Sequence, residues 1–502
     1  MRFRSVPLGQ CSRQQKDGPR HRLWQSPLPM NFRLSIANGM VAGCYSVRAQ
    51  YSNTPILQHS MCPDSRTATR LSWPKSCPTK PKLCSADRSS RPRKRGTLHN
   101  QDFGEVGRPR TTRVASSRTN LLLFALGFLQ VLIANAYVAS PVKRARDLGV
   151  PFDGTPGELN AITDVPGVEV GQTTLIEGEG KLVVGKGPVR TGVTAILPLG
   201  KSGADTPVPA AMFSFNGNGE MTGSEWVEES GFLEGPVLLT NTHSVGVVRD
   251  AVIAWGQKRY PDTEYYSLPV VAETWDGELN DINGFHVQKE DVFAALENAA
   301  GGPVAEGNVG GGTGNRAFEF KAGIGTASRL VSVHTDRFCV GVLVQANFAS
   351  RENLTIAGVP VGKEITDLKP EIHRDPEREG SILVVVATNA PLFPTQLKRV
   401  AKRAALGIGR TGGVSTDSSG DLFIAFSTAI PADEGGRQHW STVKNPDLSP
   451  LLAATVQATE EAIINSLVAA ETMHGINDNV IYALPHDRLR EVLKKYNRLV
   501  TP

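Results

Sequence analysis

Apolar residues are distributed along this chain in three different ways. Over residues 1–118 they are scattered, with no sustained period. In RTNLLLFALGFLQVLIANAYVAS, residues 118–140, they are concentrated: no charge follows Arg118 before Lys143, and an apolar stretch runs from Leu121 to Ala134. From about residue 145 they come as short runs between polar, Gly-rich turns. The runs GPVLLT (235–240), LPVVAE (268–273), CVGVLVQANF (339–348) and SILVVVAT (381–388) are apolar at consecutive positions. They alternate with stretches of helical period over about Val245–Gln257, Glu290–Asn298, Thr395–Leu406 and Leu451–Val468. A strand that is apolar on both faces must be covered on both, so the pattern predicts a layered α/β body. No Pro/Ser-rich linker divides this part, and one domain accounts for it.

Charge sharpens the division. The 502 residues carry a formal net charge of +5, but residues 1–118 hold 22 Lys and Arg against 5 Asp and Glu, and the remainder holds 32 against 44. A basic region such as SSRPRKRG (89–96) reads as an arm for nucleic acid or anionic lipid, as disorder, or as sequence upstream of the true start. The segment that follows has a positive flank, an apolar centre and the small-residue exit Ala134-Asn135-Ala136, which together describe a secretory signal. Such a signal belongs at an N-terminus. The expectation is therefore a start near Val114, a basic or untranslated extension over 1–117, a signal over 118–136 and a periplasmic or secreted enzyme over 137–502. A translated long form would make the segment a short membrane anchor instead. Five of the six cysteines lie in the first 84 residues without C-x-x-C pairing, and only Cys339 lies beyond. Neither a zinc site nor an internal disulfide of the main body is suggested.

Several short motifs fail in context. Gly407-Ile-Gly409-Arg-Thr-Gly412 matches G-x-G-x-x-G, but it follows a helical stretch instead of opening one, so helix termination explains it better than a dinucleotide site. Gly180-Lys-Leu-Val-Val-Gly185-Lys186-Gly187 lacks the Ser/Thr of a P-loop and reads as a hairpin turn. There is no H-E-x-x-H and no G-x-S-x-G. The segment EGNVGGGTGNRAFEFKAGIGTASR (306–329) permits close backbone approach; it suits a phosphate cradle, or a loop against a substrate groove or a neighbouring subunit.

Five longer segments point one way: NAITDVPGVEVGQTTL (160–175), LLTNTHSVGVVRDAVIAW (238–255), VVAETWDGELNDINGFHV (270–287), the glycine segment, and GSILVVVATNAPL (380–392). Together they resemble the self-processing serine aminopeptidases, which include D-aminopeptidase (L-aminopeptidase/D-esterase) and the β-peptidyl aminopeptidases. The resemblance implies an α-β-β-α sandwich of the N-terminal-nucleophile hydrolase kind. It also implies release of N-terminal D-, L- or β-residues from short peptides, amides or esters, without cofactor or metal, and assembly as a homo-oligomer of two-chain units. Members cleave themselves before a serine, and Gly380-Ser381 fits that junction, giving chains 137–380 and 381–502. A glycine there would tolerate a strained scissile peptide, and Ser381 would become the nucleophile with its freed α-amine as base.

Other roles follow by position. Asn347 matches the asparagine whose amide supports the oxyanion, Ser419 and Asp421 match the serine and acid beside the nucleophile, and Glu273 matches the carboxylate that holds the substrate amine, with Trp275 as a pocket wall. On the residues alone, Gly380-Ser381 is a turn before a strand, SSGD is turn chemistry, and Asn347, Glu273 and Trp275 serve as strand-end or core residues. Two departures bear on substrate preference: Asn389 where members often carry Asp, and Asn315-Arg316-Ala317 where a small-apolar run is common. The competing readings are an acyltransferase of the ornithine acetyltransferase type, disfavoured by a serine at 381 and by Glu273, and a nucleic-acid-binding protein acting through residues 1–118. No nucleic-acid partner is expected on the leading reading.

Overall fold

The computed structural model describes residues 143–373 and 380–501. The basic extension, the signal-like segment and the charged run Glu377–Glu379 lie outside the described residues. In chain order the main strands are β1 (Glu169–Glu177), β2 (Val189–Leu197), β3 (Val208–Gly217), β4 (Phe232–Leu233), β5 (Val237–Asn241) and β6 (Val270–Thr274). There follow β7 (Arg316–Ala317), β8 (Phe320–Lys321), β9 (Ile324–Val333), β10 (Asp336–Ala346), β11 (Ile382–Thr388) and β12 (Gly420–Ser427). One sheet has the order β1-β2-β5-β6 and a second the order β4-β3-β12-β11-β10-β9.

The alternation of side chains explains why the runs are apolar throughout. Along β11, Ile382, Val384 and Val386 face one way and Leu383, Val385 and Ala387 the other, as the two-residue period of a strand requires. The second set joins Leu343 and Ile424 to meet Ile196, Leu239 and Ala272 of the four-stranded sheet. The first set packs with Phe423 under Leu397, Ile408, Leu451, Ile463 and Leu467 of the C-terminal helices. The outer face of the smaller sheet carries Val193, Leu238 and Val271 against Val248, Val252 and Trp255 of the helix Val245–Arg259 and Val292 and Leu296 of the helix Lys289–Glu297. These three apolar interfaces make four layers, α-β-β-α, as expected. Each fully buried Val, Leu or Ile contributes roughly 1.5–3 kcal/mol, so a polar substitution in either face of β11 would be felt.

One helix differs from its expected span. The stretch Thr395–Leu406 is not continuous: one helix covers Pro394–Ala401 and a second Ala404–Thr411. Gly407 and Gly409 therefore lie inside the second helix, and Gly412, at φ 99°, ends it. Gly407 is needed for contact: a Cβ there would lie 2.6 Å from Cβ of Thr459 and 2.8 Å from the Val456 carbonyl oxygen, on the long helix Ser449–Val468. The P-loop-like stretch is the connection between β1 and β2. The glycine segment places Gly310–Gly312 as a buried turn and then runs through β7 to the site described next.

Candidate active site

Strand register assembles the site. The pairing of β10 with β11 ends at Ala346 and Ile382, and one step further the Asn347 N–H donates to the Ser381 carbonyl at 3.0 Å. On the other side β12 runs parallel with Ile382 beside Asp421, and the Gly420 N–H donates to the Ser381 hydroxyl oxygen at 3.0 Å. Ser381 is thus clamped between two strand ends, buried yet lining a recess. A nucleophile needs that single fixed geometry.

Ser419 and Asp421 stand directly behind it. The Ser419 hydroxyl lies 2.7 Å from the Gly380 carbonyl oxygen and 2.6 Å from Oδ1 of Asp421. It has one hydrogen, so it polarises the Gly380 carbonyl in one orientation and bonds the carboxylate in the other. Asp421 also accepts from Ser415 Oγ and from the Ile382 N–H at 3.2 Å. Burial raises its pKa all the same, outweighing those hydrogen bonds. The arrangement can hand a proton between Ser419 and Asp421 beside the Gly380–Ser381 peptide.

Asn347 is held by the backbone on both sides of its amide. Its Oδ1 accepts from the Arg316 N–H at 3.0 Å, and its Nδ2 donates to the Trp275 carbonyl at 2.8 Å. Both partners are main-chain groups of fixed polarity, so the amide cannot be flipped. One of its two N–H hydrogens is used in this way. The residue satisfies backbone groups and also lines the recess beside Ser381.

Glu273, next to last in β6, lines the same recess and is 5 % exposed. Its carboxylate accepts from the Thr242 hydroxyl and from the Glu220 N–H at 3.0 Å. Burial raises its pKa, with Thr242 and the Glu220 amide pulling the other way. An arriving ammonium would relieve that cost, because a buried carboxylate is stable only when paired. Trp275 forms the neighbouring wall, with His243 edge-on to it at 5.7 Å between ring centroids.

The recess has a volume of about 130 Å³ and is also lined by Asn218, Thr242, Glu278, Arg316, Phe348 and Ser418. None of these was assigned a role from the sequence. Thr242 lay within a quoted motif, and Arg316 was noted as a departure. Gly420 contributes only its backbone N–H, which no side-chain pattern could announce.

At Gly380 a Cβ would lie 2.1 Å from the Asn347 carbonyl oxygen and 2.3 Å from its Nδ2. Close approach to that residue is reason enough for glycine there. Cys339 is buried in β10 with its thiol pushed up to about 12 by burial, so it does not compete as a nucleophile. Among the described residues no cluster of three or more His, Cys, Asp or Glu is placed to hold a metal, and no described helix is long and apolar enough to cross a membrane.

Fold and site together define a serine hydrolase of the Ntn type. The comparisons agree. The model of peptidase family S58 matches residues 160–481, and the chain belongs to that family. It is 54 % identical over 371 residues to beta-peptidyl aminopeptidase BapA of Sphingosinicella microcystinivorans, covering 71 % of this chain and 93 % of that protein. It is 50 % identical over 389 residues to BapA of Sphingosinicella xenopeptidilytica, covering 74 % and 96 %. Among solved structures, the L-aminopeptidase D-Ala-esterase/amidase of Ochrobactrum anthropi, a serine aminopeptidase with a variant Ntn hydrolase fold, superposes with a TM-score of 0.66. That match has 48 % identity and covers 71 % of this chain and 99 % of that one. The beta-aminopeptidase of a Burkholderia species superposes with a TM-score of 0.64 at 45 % identity, covering 70 % and 99 %. The protein is a serine aminopeptidase with an Ntn fold.

Proposed function

We propose that the chain is made as an exported precursor that cuts itself between Gly380 and Ser381. The resulting enzyme releases N-terminal D-, L- or β-residues from short peptides, amides or esters, as a homo-oligomer of two-chain units. One observation carries this reading: Ser381, Asn347 and Glu273 line one recess while Ser419 and Asp421 back the Gly380–Ser381 peptide. The printed activities of the relatives, β-peptidyl aminopeptidase and L-aminopeptidase D-Ala-esterase/amidase, support the substrate range.

In the first reaction Ser381 Oγ attacks the Gly380 carbonyl carbon as Ser419 donates to its oxygen. The C–N bond breaks, the nitrogen takes up the hydroxyl proton, and water hydrolyses the ester to a Gly380 carboxylate. The freed α-amine of Ser381 then takes the proton of its own hydroxyl during attack on substrate and passes it to the leaving amine. Glu273 pairs with the substrate ammonium and so fixes which carbonyl meets Ser381. N-terminal sequencing of both bands of purified protein tests the scheme: the smaller chain should begin at Ser381 and the larger near residue 137. Abundant tryptic peptides from residues 1–113 in the native host would overturn the start near Val114.

Glu273→Gln should raise KM for substrates with a free amine while leaving self-cleavage intact, since cleavage engages no external amine. Comparison of free and N-acetylated anilides checks it. Equal turnover of both by the unaltered enzyme would contradict an aminopeptidase that anchors the amine.

A further inference from the structure

Asp421 has two carboxylate oxygens, and one of them faces the Gly380–Ser381 peptide through Ser419. Oδ1 lies 2.6 Å from the Ser419 hydroxyl and accepts from the Ile382 N–H at 3.2 Å. Oδ2 accepts from the hydroxyl of Ser415. Ser415 lies on the loop between the helix Ala404–Thr411 and β12. Two asparagines at and just beyond the end of β3 hold that loop by its main chain. Asn216 Nδ2 donates to the Thr416 carbonyl at 2.7 Å and also to that of Ser419, and Asn218 Nδ2 donates to the Ser418 carbonyl at 2.8 Å. Ser415 itself has φ 55°, in the left-handed region. A serine is costly there and a glycine is not. Such strain persists only where the surroundings hold it, and it gathers at active sites.

We propose that Ser415 is a positioning residue for self-cleavage: its hydroxyl holds Oδ2 of Asp421 so that Oδ1 stays on Ser419 and Ser419 stays on the Gly380 carbonyl. This rests on the self-cleavage reading above and concerns the uncut chain, in which the Gly380–Ser381 peptide is intact. An ionised carboxylate only accepts, so Ser415 is the donor. With Oδ2 occupied, the carboxylate cannot turn about its Cβ–Cγ bond without giving up the bonds from Ser415 and the Ile382 N–H. Ser419 is the neighbour of both Asp421 and the Gly380 carbonyl oxygen, the latter at 2.7 Å. Its single hydrogen must turn to that oxygen as Ser381 attacks, which it can do only while Asp421 keeps the hydroxyl in place. Burial raises the pKa of Asp421, and the Ser415 hydrogen bond is the largest effect opposing it. Without that hydroxyl the carboxyl is both free to rotate and readier to take up a proton.

Substitution separates the hydroxyl from the backbone. Ser415→Ala and Ser415→Gly both remove the hydroxyl, but glycine is at ease in the left-handed region and alanine is not. Ser415→Thr keeps the hydroxyl and is more strained there, being β-branched. Self-cleavage is followed as the appearance of the chain beginning at Ser381 after pulse-labelled synthesis. Stability is read as the thermal midpoint of each substitution placed in the uncut Ser381→Ala chain. Ser415→Ala and Ser415→Gly should both slow cleavage by about ten- to a hundredfold, the scale of one hydrogen bond to a charged group. Ser415→Gly should nevertheless unfold at the higher temperature of the two. Ser415→Thr should unfold earlier than the unaltered chain yet cut faster than either. A merely structural role gives the other order, with cleavage rate following the thermal midpoint. Cleavage at the original rate in Ser415→Ala would overturn the proposal. So would a Ser415→Gly chain that cuts markedly faster than Ser415→Ala, or a folded Ser415→Thr chain that cuts no faster than Ser415→Ala. An unaltered protein that stays whole, or is cut elsewhere than before Ser381, would instead defeat the self-cleavage reading beneath it.

Discussion

Ser381→Ala is expected to yield one uncut polypeptide with no peptidase activity. Alanine supplies neither the oxygen that attacks the Gly380 carbonyl nor the ester that follows, so maturation and turnover fail together. On the proposed mechanism Ser381 supplies the attacking oxygen in both reactions, so the loss should be total. Ser381→Cys separates the steps: a thiol makes the same acyl shift, so cleavage should persist with altered turnover. Gel mobility of the purified variant and hydrolysis of an amino-acid amide read out the two events. Two chains split at residue 380 in Ser381→Ala, or retained amidase activity, would place the nucleophile elsewhere and remove the centre of the mechanism.

How much of this was visible in the sequence depended on whether a feature was local. The runs GPVLLT and SILVVVAT lie within a residue or two of the observed β5 and β11, because a strand buried on both faces leaves a contiguous apolar trace. The break between Ala401 and Ala404 left none. Leu397, Val400, Ala401, Ala404 and Ile408 keep one helical period across it, and all are buried against the same core. The interruption comes from tertiary packing, in which the second helix turns to lay Gly407 on Thr459. The site divides in the same way. Ser381, Asn347 and Glu273 sit at strand ends inside long recognisable segments, so their positions could be carried over from the resemblance. The ion pair of Arg316 and Glu278, on the same recess, joins residues 38 apart in sequence and exists only once β7 meets the loop after β6. The close approach at Gly380 was not legible, since the oxygen a Cβ would strike belongs to Asn347, just beyond the end of β10.

Asn347→Ala isolates the oxyanion step from the nucleophile. In the unaltered protein the Asn347 amide is oriented by the Arg316 N–H and the Trp275 carbonyl, so on the proposed mechanism it would meet developing charge without reorganising. A donor fixed before the reaction begins acts on the transition state more than on the bound substrate. Its removal should therefore lower kcat by about a hundred- to a thousandfold with a much smaller change in KM. Asn347→Asp should be worse. It sets an oxygen against the Trp275 carbonyl oxygen and adds negative charge where negative charge must form. Self-cleavage should suffer less than turnover in Asn347→Ala, because the Ser419 hydroxyl also reaches the Gly380 carbonyl oxygen, at 2.7 Å, and supports the oxyanion of that step. Steady-state kinetics on one amide substrate, alongside the time course of chain cleavage, measures both. A rise in KM at unchanged kcat would mean that Asn347 binds the ground state, and the oxyanion would then need another donor.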